Sequence, residues 1–167
     1  MSEYPQGLTD FALRVRVAQL DGYHVEADPD QPGLFVLWRG EMCMGWRCGE
    51  TIDDTWDQAF MKDLESGSAD VPDYPNDLDA AYAVCVGIAD ATGWLFSCDY
   101  RRAPERRWHA VFEERVGRNR YRNNAGSHSV RSAAHACALA AWRYGRVQQL
   151  VDGITPANVH GEWPGVS

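Results

Sequence analysis

The sequence predicts an α+β protein: a single-domain α/β/α sandwich with a mixed or antiparallel central sheet over residues 1–145, and a tail over 146–167. Three observations carry this. Apolar residues recur at three- and four-residue spacing in some segments and alternate with a period of two in others. The two kinds of segment follow one another as helix, hairpin, helix, hairpin, helix. Finally, 167 residues with 45% hydrophobic content can bury a core without disulfide or metal support.

Thr9 is placed to cap a first helix, in which Phe11, Val15 and Ala18 form one apolar stripe and Leu13, Val17 and Leu20 another. Gly22 closes it, and Tyr23 to Ala27 reads as a short strand. Asp28, Asp30 and Gly33 echo a calcium loop, but Pro32 and Arg39 stand where ligands are needed, so calcium is rejected. Leu34 to Arg39 and Met42 to Arg47 form a hairpin over the two-residue turn Gly40-Glu41. Met42, Met44 and Trp46 are expected to extend one core layer.

Glu50 to Leu64 has a helical pattern with Thr51 as cap and Ile52, Trp56, Ala59 and Phe60 on one face; residues 50–69 read as an acidic helical insertion. Ser66 to Pro75 reads as a linker or surface loop. Asn76 is expected to cap a helix over Asp77 to Ala91, with Leu78, Ala81, Tyr82, Cys85, Ile88 and Ala89 facing inward and Gly93 ending it. The alternation from Trp94 to Tyr100 and the run Trp108 to Phe112 predict two antiparallel strands around an Arg-rich turn. Glu113 to Ser127 has the composition of a mobile basic loop. An Ala-rich helix over Val130 to Tyr144, with a flat stripe of Ala133, Ala134, Cys137, Ala138 and Ala141, is expected to end at Gly145. Leu150, Ile154 and Trp163 are the tail's candidate docking residues.

Charge is divided unevenly. Of the net −8, residues 1–100 hold 5 cations and 19 acids, whereas 101–167 hold 11 cations and 5 acids. Fifteen of the sixteen cations are Arg, a preference that a GC-rich coding bias also produces. The absence of an eighteen-residue apolar run or a leader segment predicts a cytoplasmic protein without a membrane span. Five cysteines without CxxC spacing read as reduced core residues.

The order of elements, with the stretches PDYPNDLDAAYAV, WHAVF and HACALAAWRY, resembles the phage ABA sandwich domain, a family of small phage-encoded proteins. The likeness is carried by Pro72, Tyr74, Asp77, Ala80, Ala81, Tyr82, Trp108, Phe112 and the Ala-rich helix, and more loosely by residues 8–48. It implies an α/β/α sandwich and a bacteriophage or prophage origin in a host cell. It brings no catalytic residue.

Chemistry is sparse. Cys98 and His109 on neighbouring strands are the candidate nucleophile and base, against a buried structural Cys. His24, His128, His135 and His160 show no ligand spacing, so neither metal nor cofactor is expected. Arg101, Arg102, Arg106, Arg107, Arg118, Arg120 and Arg122, with Trp108 interleaved, are candidate ligand-binding residues for a nucleotide or phosphate. Duplex DNA is disfavoured by the net negative charge. The acidic tract offers Asp53, Asp54, Asp57 and Asp63 as partner-binding residues.

Three classes of function follow. The leading one is a non-enzymatic phage accessory protein that associates with a host or phage protein and counters or tunes a host system. A small-ligand binding protein using the 101–122 region is the alternative, and a hydrolase with an unrecognised site the second alternative. The same charged surfaces leave a homo-oligomer open.

Overall fold

The computed structural model describes residues 8–152, with side chains over 8–146. It is α+β, with four helices and two antiparallel three-stranded sheets. The first sheet has β1 (Tyr23–Ala27), β2 (Phe35–Arg39) and β3 (Met42–Gly49) in chain order; the second has β4 (Leu95–Arg101), β5 (Arg107–Gly117) and β6 (Arg120–Ser129), also in chain order. The antiparallel form of the expected sheet is present, divided in two. Helices rather than strand pairing join the halves.

Helix α1 (Asp10–Leu20) begins at Thr9, whose hydroxyl accepts from the Ala12 amide at 3.1 Å. It packs on β1, on α3 (Leu78–Thr92) and on α4 (Ala133–Asp152), which explains its two apolar stripes. Helix α2 (Ile52–Phe60) covers the first sheet, and its Trp56 and Ala59 are fully buried in the same core as Phe112 and Trp142. The acidic segment is thus a packing element that shows its charged side to solvent.

Helix α4 organises the molecule. Every residue from Ala134 to Trp142 is buried, because α1, α3 and all strands of the second sheet pack around it. Its many small side chains let neighbours approach closely, and the one polar residue of this buried stretch, His135, is held by Ser129 at 2.7 Å. The helix continues past Gly145 to Asp152: a glycine costs an interior turn only about 1 kcal/mol, and the next proline is Pro156. Ile154 and Trp163 lie outside the described residues.

Several local expectations are corrected. The cap of α3 is Asp77, which accepts from the Ala80 amide at 3.1 Å, while Asn76 donates to Asp73 at 3.1 Å. The buried face of that helix is Ala81, Val84, Cys85 and Ile88; Leu78 and Tyr82 are exposed. Gly93 ends it with φ 75°, the left-handed conformation expected there. The presumed mobile basic loop is instead the long β5–β6 hairpin, with Phe112 opposite Ala125 and Gly117 opposite Arg120.

In β3 the register jumps between Val36 and Leu37, whose partners are Cys48 and Met44, so the chain bulges over residues 45–47. Met44 stays buried, but Met42 and Trp46 are turned outward. The strand then meets α2 closely. A Cβ on Gly49 would lie 2.8 Å from Asp54 Cβ and 2.9 Å from the Thr55 amide nitrogen. Gly49→Ala is therefore expected to cost about 1–3 kcal/mol in chemical denaturation, since backbone must shift to admit one methyl. An unchanged midpoint would mean that α2 gives way freely.

Candidate functional site

The loop from Met61 to Asp77 is a strap tied down along its length. Val71 and Tyr74 are fully buried. The Arg14 guanidinium lies 4.0 Å over the Phe60 ring and donates to the carbonyls of Val71 and Pro72, the latter at 3.0 Å. Burial lowers the Arg14 pKa, opposed by Asp73 and Tyr74. Tyr74 donates to Asp21 at 2.6 Å, and Tyr23 to the Asp70 carbonyl at 3.2 Å. Strap and bulge meet at Asp70, whose carboxylate accepts from the Trp46 indole at 2.9 Å and from Arg47 at 2.5 Å.

Trp46 is consequently held in place while its ring remains 64% exposed. Between the strap and the start of α3 runs an open groove of about 710 Å³, bordered by Phe60, Leu78, Asp73, Asp77 and Asp79, with Arg14 and Lys62 on its walls. Asp53, Asp54 and Asp57 are exposed on α2, and Asp63 is exposed where the strap begins. Asp63 also has a structural task, accepting from the Glu65 amide at 2.8 Å. An acidic field and a groove thus lie along residues 50–79, and a fixed exposed indole from β3 is tied to the same strap through Asp70. Sequence reasoning missed Trp46, Arg47 and Asp70; Gly45 inside a strand was the signal for a bulge.

The arginines are not gathered. Arg101, Arg102, Arg106 and Arg107 surround the β4–β5 turn, whereas Arg118, Arg120 and Arg122 belong to the β5–β6 turn at the other end of β5. Ten residues of extended chain separate the two ends, roughly 30 Å. Arg122 is engaged by Glu114 and by Asn124, and hydrogen bonds to Glu114 from Asn124 first, then from Arg122, hold its carboxyl below the usual range. Trp108 lies on the inner face, half-buried against Tyr100 with ring centroids 5.1 Å apart.

The Cys98–His109 pairing is ruled out by register. Cys98 is opposite Ala110 and Asp99 opposite His109, so thiol and imidazole are on opposite faces of the sheet. Cys98 instead meets Cys137, whose thiol meets Cys85 in turn. A hydrogen bond to Cys137, then burial, raises the Cys98 pKa, which makes a poor nucleophile. A Ser-His contact, Ser129 Oγ to His135 Nδ1 at 2.7 Å, is buried, and Ser129 also accepts from the Arg131 amide at 3.0 Å. This contact orders the turn into α4. Among the described residues no group of three or more His, Cys, Asp or Glu is placed to hold a metal ion. No helix there is long and apolar enough to cross a membrane.

Comparison with known proteins finds no family model that matches the chain, no similar curated protein and no similar solved structure.

Proposed function

We propose that the protein acts by association, its acidic surface over residues 50–79 docking on a basic surface of a host or phage protein and tuning or blocking that partner without catalysis. The observation that supports this most is Trp46, held exposed by its hydrogen bond to Asp70, a residue of the strap whose neighbours Ala69 and Val71 line the groove. Exposed, rigidly held aromatics are the side chains that anchor interfaces. The surrounding carboxylates would speed encounter and select a basic partner. A phage or prophage setting in the cytoplasm of the host is part of the proposal and rests on the sequence resemblance.

Recovery of a partner from host lysate comes first, followed by two variants. Replacing Asp53, Asp54, Asp57 and Asp63 by Asn should slow association about tenfold and flatten its salt dependence. Stability should fall by no more than about 1–2 kcal/mol, the part due to Asp53 and Asp54 in the first turn of α2. Trp46→Ala should act on dissociation instead, shortening the complex lifetime at least about tenfold. Parental association rate, salt slope and lifetime in both variants would sink the reading.

A further inference from the structure

The outer face of the second sheet carries a cluster that the acidic surface does not involve. Register places Arg101 opposite Arg107, Asp99 opposite His109, and His109 opposite His128, all on this face. Two guanidinium groups directly opposite one another repel. Asp99 is the carboxylate between them and the imidazoles: it accepts from Arg101 Nε at 3.2 Å and lies 3.9 Å from His109 Nδ1. That second distance is too long for a hydrogen bond, and His109 Nδ1 is buried without a hydrogen-bond partner. Arg107 makes no ion pair with a carboxylate among the described residues.

We propose that this face binds a phosphate dianion between Arg101, Arg107, His109 and His128. Guanidinium groups and imidazoles supply donors that match phosphate oxygens, and an anion placed there would relieve the Arg101–Arg107 repulsion. The site reads the phosphate rather than what it is attached to. The large aromatic residues at this end of the same strands, Tyr100 and Trp108, alternate onto the opposite face and pack on each other, so neither the phenol nor the indole is available there to stack a base. Free phosphate and a phosphomonoester share the chemistry.

The groups that face His109 are Asp99 and Arg101 from β4, Arg107 from its own strand and His128 from β6. Burial first, then Arg101, holds the imidazole below its ordinary pKa, with His128 and Arg107 acting the same way and Asp99 opposing. A bound dianion would restore its proton, so binding should strengthen as pH falls from about 8 to about 7; below that the phosphate itself takes up a proton and the gain levels off.

The test titrates the full chain with inorganic phosphate at constant ionic strength, following the imidazole resonances, with a nucleoside monophosphate in a parallel arm. Saturable shifts at His109 and His128 but not at His24, of similar affinity in both arms, are expected. Arg107→Gln should weaken phosphate binding about tenfold, and Asp99→Asn, which removes the competing carboxylate, should tighten it. Equal shifts with chloride, parental affinity in Arg107→Gln, or weaker binding in a folded Asp99→Asn would overturn the proposal. Markedly tighter binding of the nucleotide would show that the base is read and overturn the attachment-blind site. Tighter binding of a single-stranded oligonucleotide than of phosphate would replace it with a nucleic-acid surface.

Discussion

Replacing Phe112 by alanine should cost about 3–5 kcal/mol in chemical denaturation, the range for deleting a fully buried aromatic ring. The ring is completely enclosed, with Phe96 across the strand pair at 4.8 Å and Tyr144 of α4 at 6.1 Å between centroids. It therefore joins the second sheet to the central helix, and the cavity left behind would border both. Trp108, four residues earlier on the same face, gives the contrast. It is half-buried at the sheet end beside Tyr100, so Trp108→Ala should cost less, about 1–2 kcal/mol. A reversed order of the two losses would mean that the second sheet meets α4 at the wrong end.

Stability should fall steeply in alkali. The Tyr74 hydroxyl is buried and donates to Asp21, and burial first, then that hydrogen bond, raises its pKa far above the ordinary tyrosine value. Cys137 is pushed up to about 12, first by its hydrogen bond with Cys85 and then by burial, with Cys98 opposing. The unfolded chain releases these protons near about pH 8.5 for cysteine and about pH 10 for tyrosine, while the folded chain keeps them. Their contribution is complete below the unfolded values and is lost as pH rises. Each group removes about 1.4 kcal/mol per pH unit, so between about pH 10 and about pH 12 these two contribute a loss of about 3 kcal/mol per unit, to which Cys98, raised in the same way, adds and which Arg16, lowered to about 10 by burial, opposes. Tyr74→Phe separates them: about 1–3 kcal/mol less stable at neutral pH, where Asp21 loses its donor, but with a shallower alkaline decline. Denaturation midpoints across the range, read with tyrosinate absorbance, check both. An unchanged slope in the variant would show that Tyr74 ionises in the folded protein.

What could be read from the chain was what depends on near neighbours. The caps at Thr9 and Thr51, the left-handed stop at Gly93 and the alternation of Phe96, Cys98 and Phe112 onto one face are set by contacts within a few residues. The α+β class followed from those periods. The exposed carboxylates of α2 were legible for the same reason, because a charged run opposite an apolar stripe has no other place to go.

Long-range pairing decided the rest. Glu113 to Ser127 is polar enough to read as a loop, yet the backbone bonds of β5 and β6 made it a hairpin and carried its arginines about 30 Å from those at 101–107. The strap over 66–75 has the composition of a surface linker, but Arg14, Tyr23 and Asp21, all more than forty residues away, hold it against the core. The bulge that turned Trp46 outward to Asp70, and the strand register that set His109 beside His128 and away from Cys98, arise the same way. Composition and local period alone determined the class, the helix stops and caps at Thr9, Thr51 and Gly93, and the charge of each half. Which side chains stand together was decided by register and packing, whose energies come from partners dozens of residues apart and leave no mark on the spacing of either one.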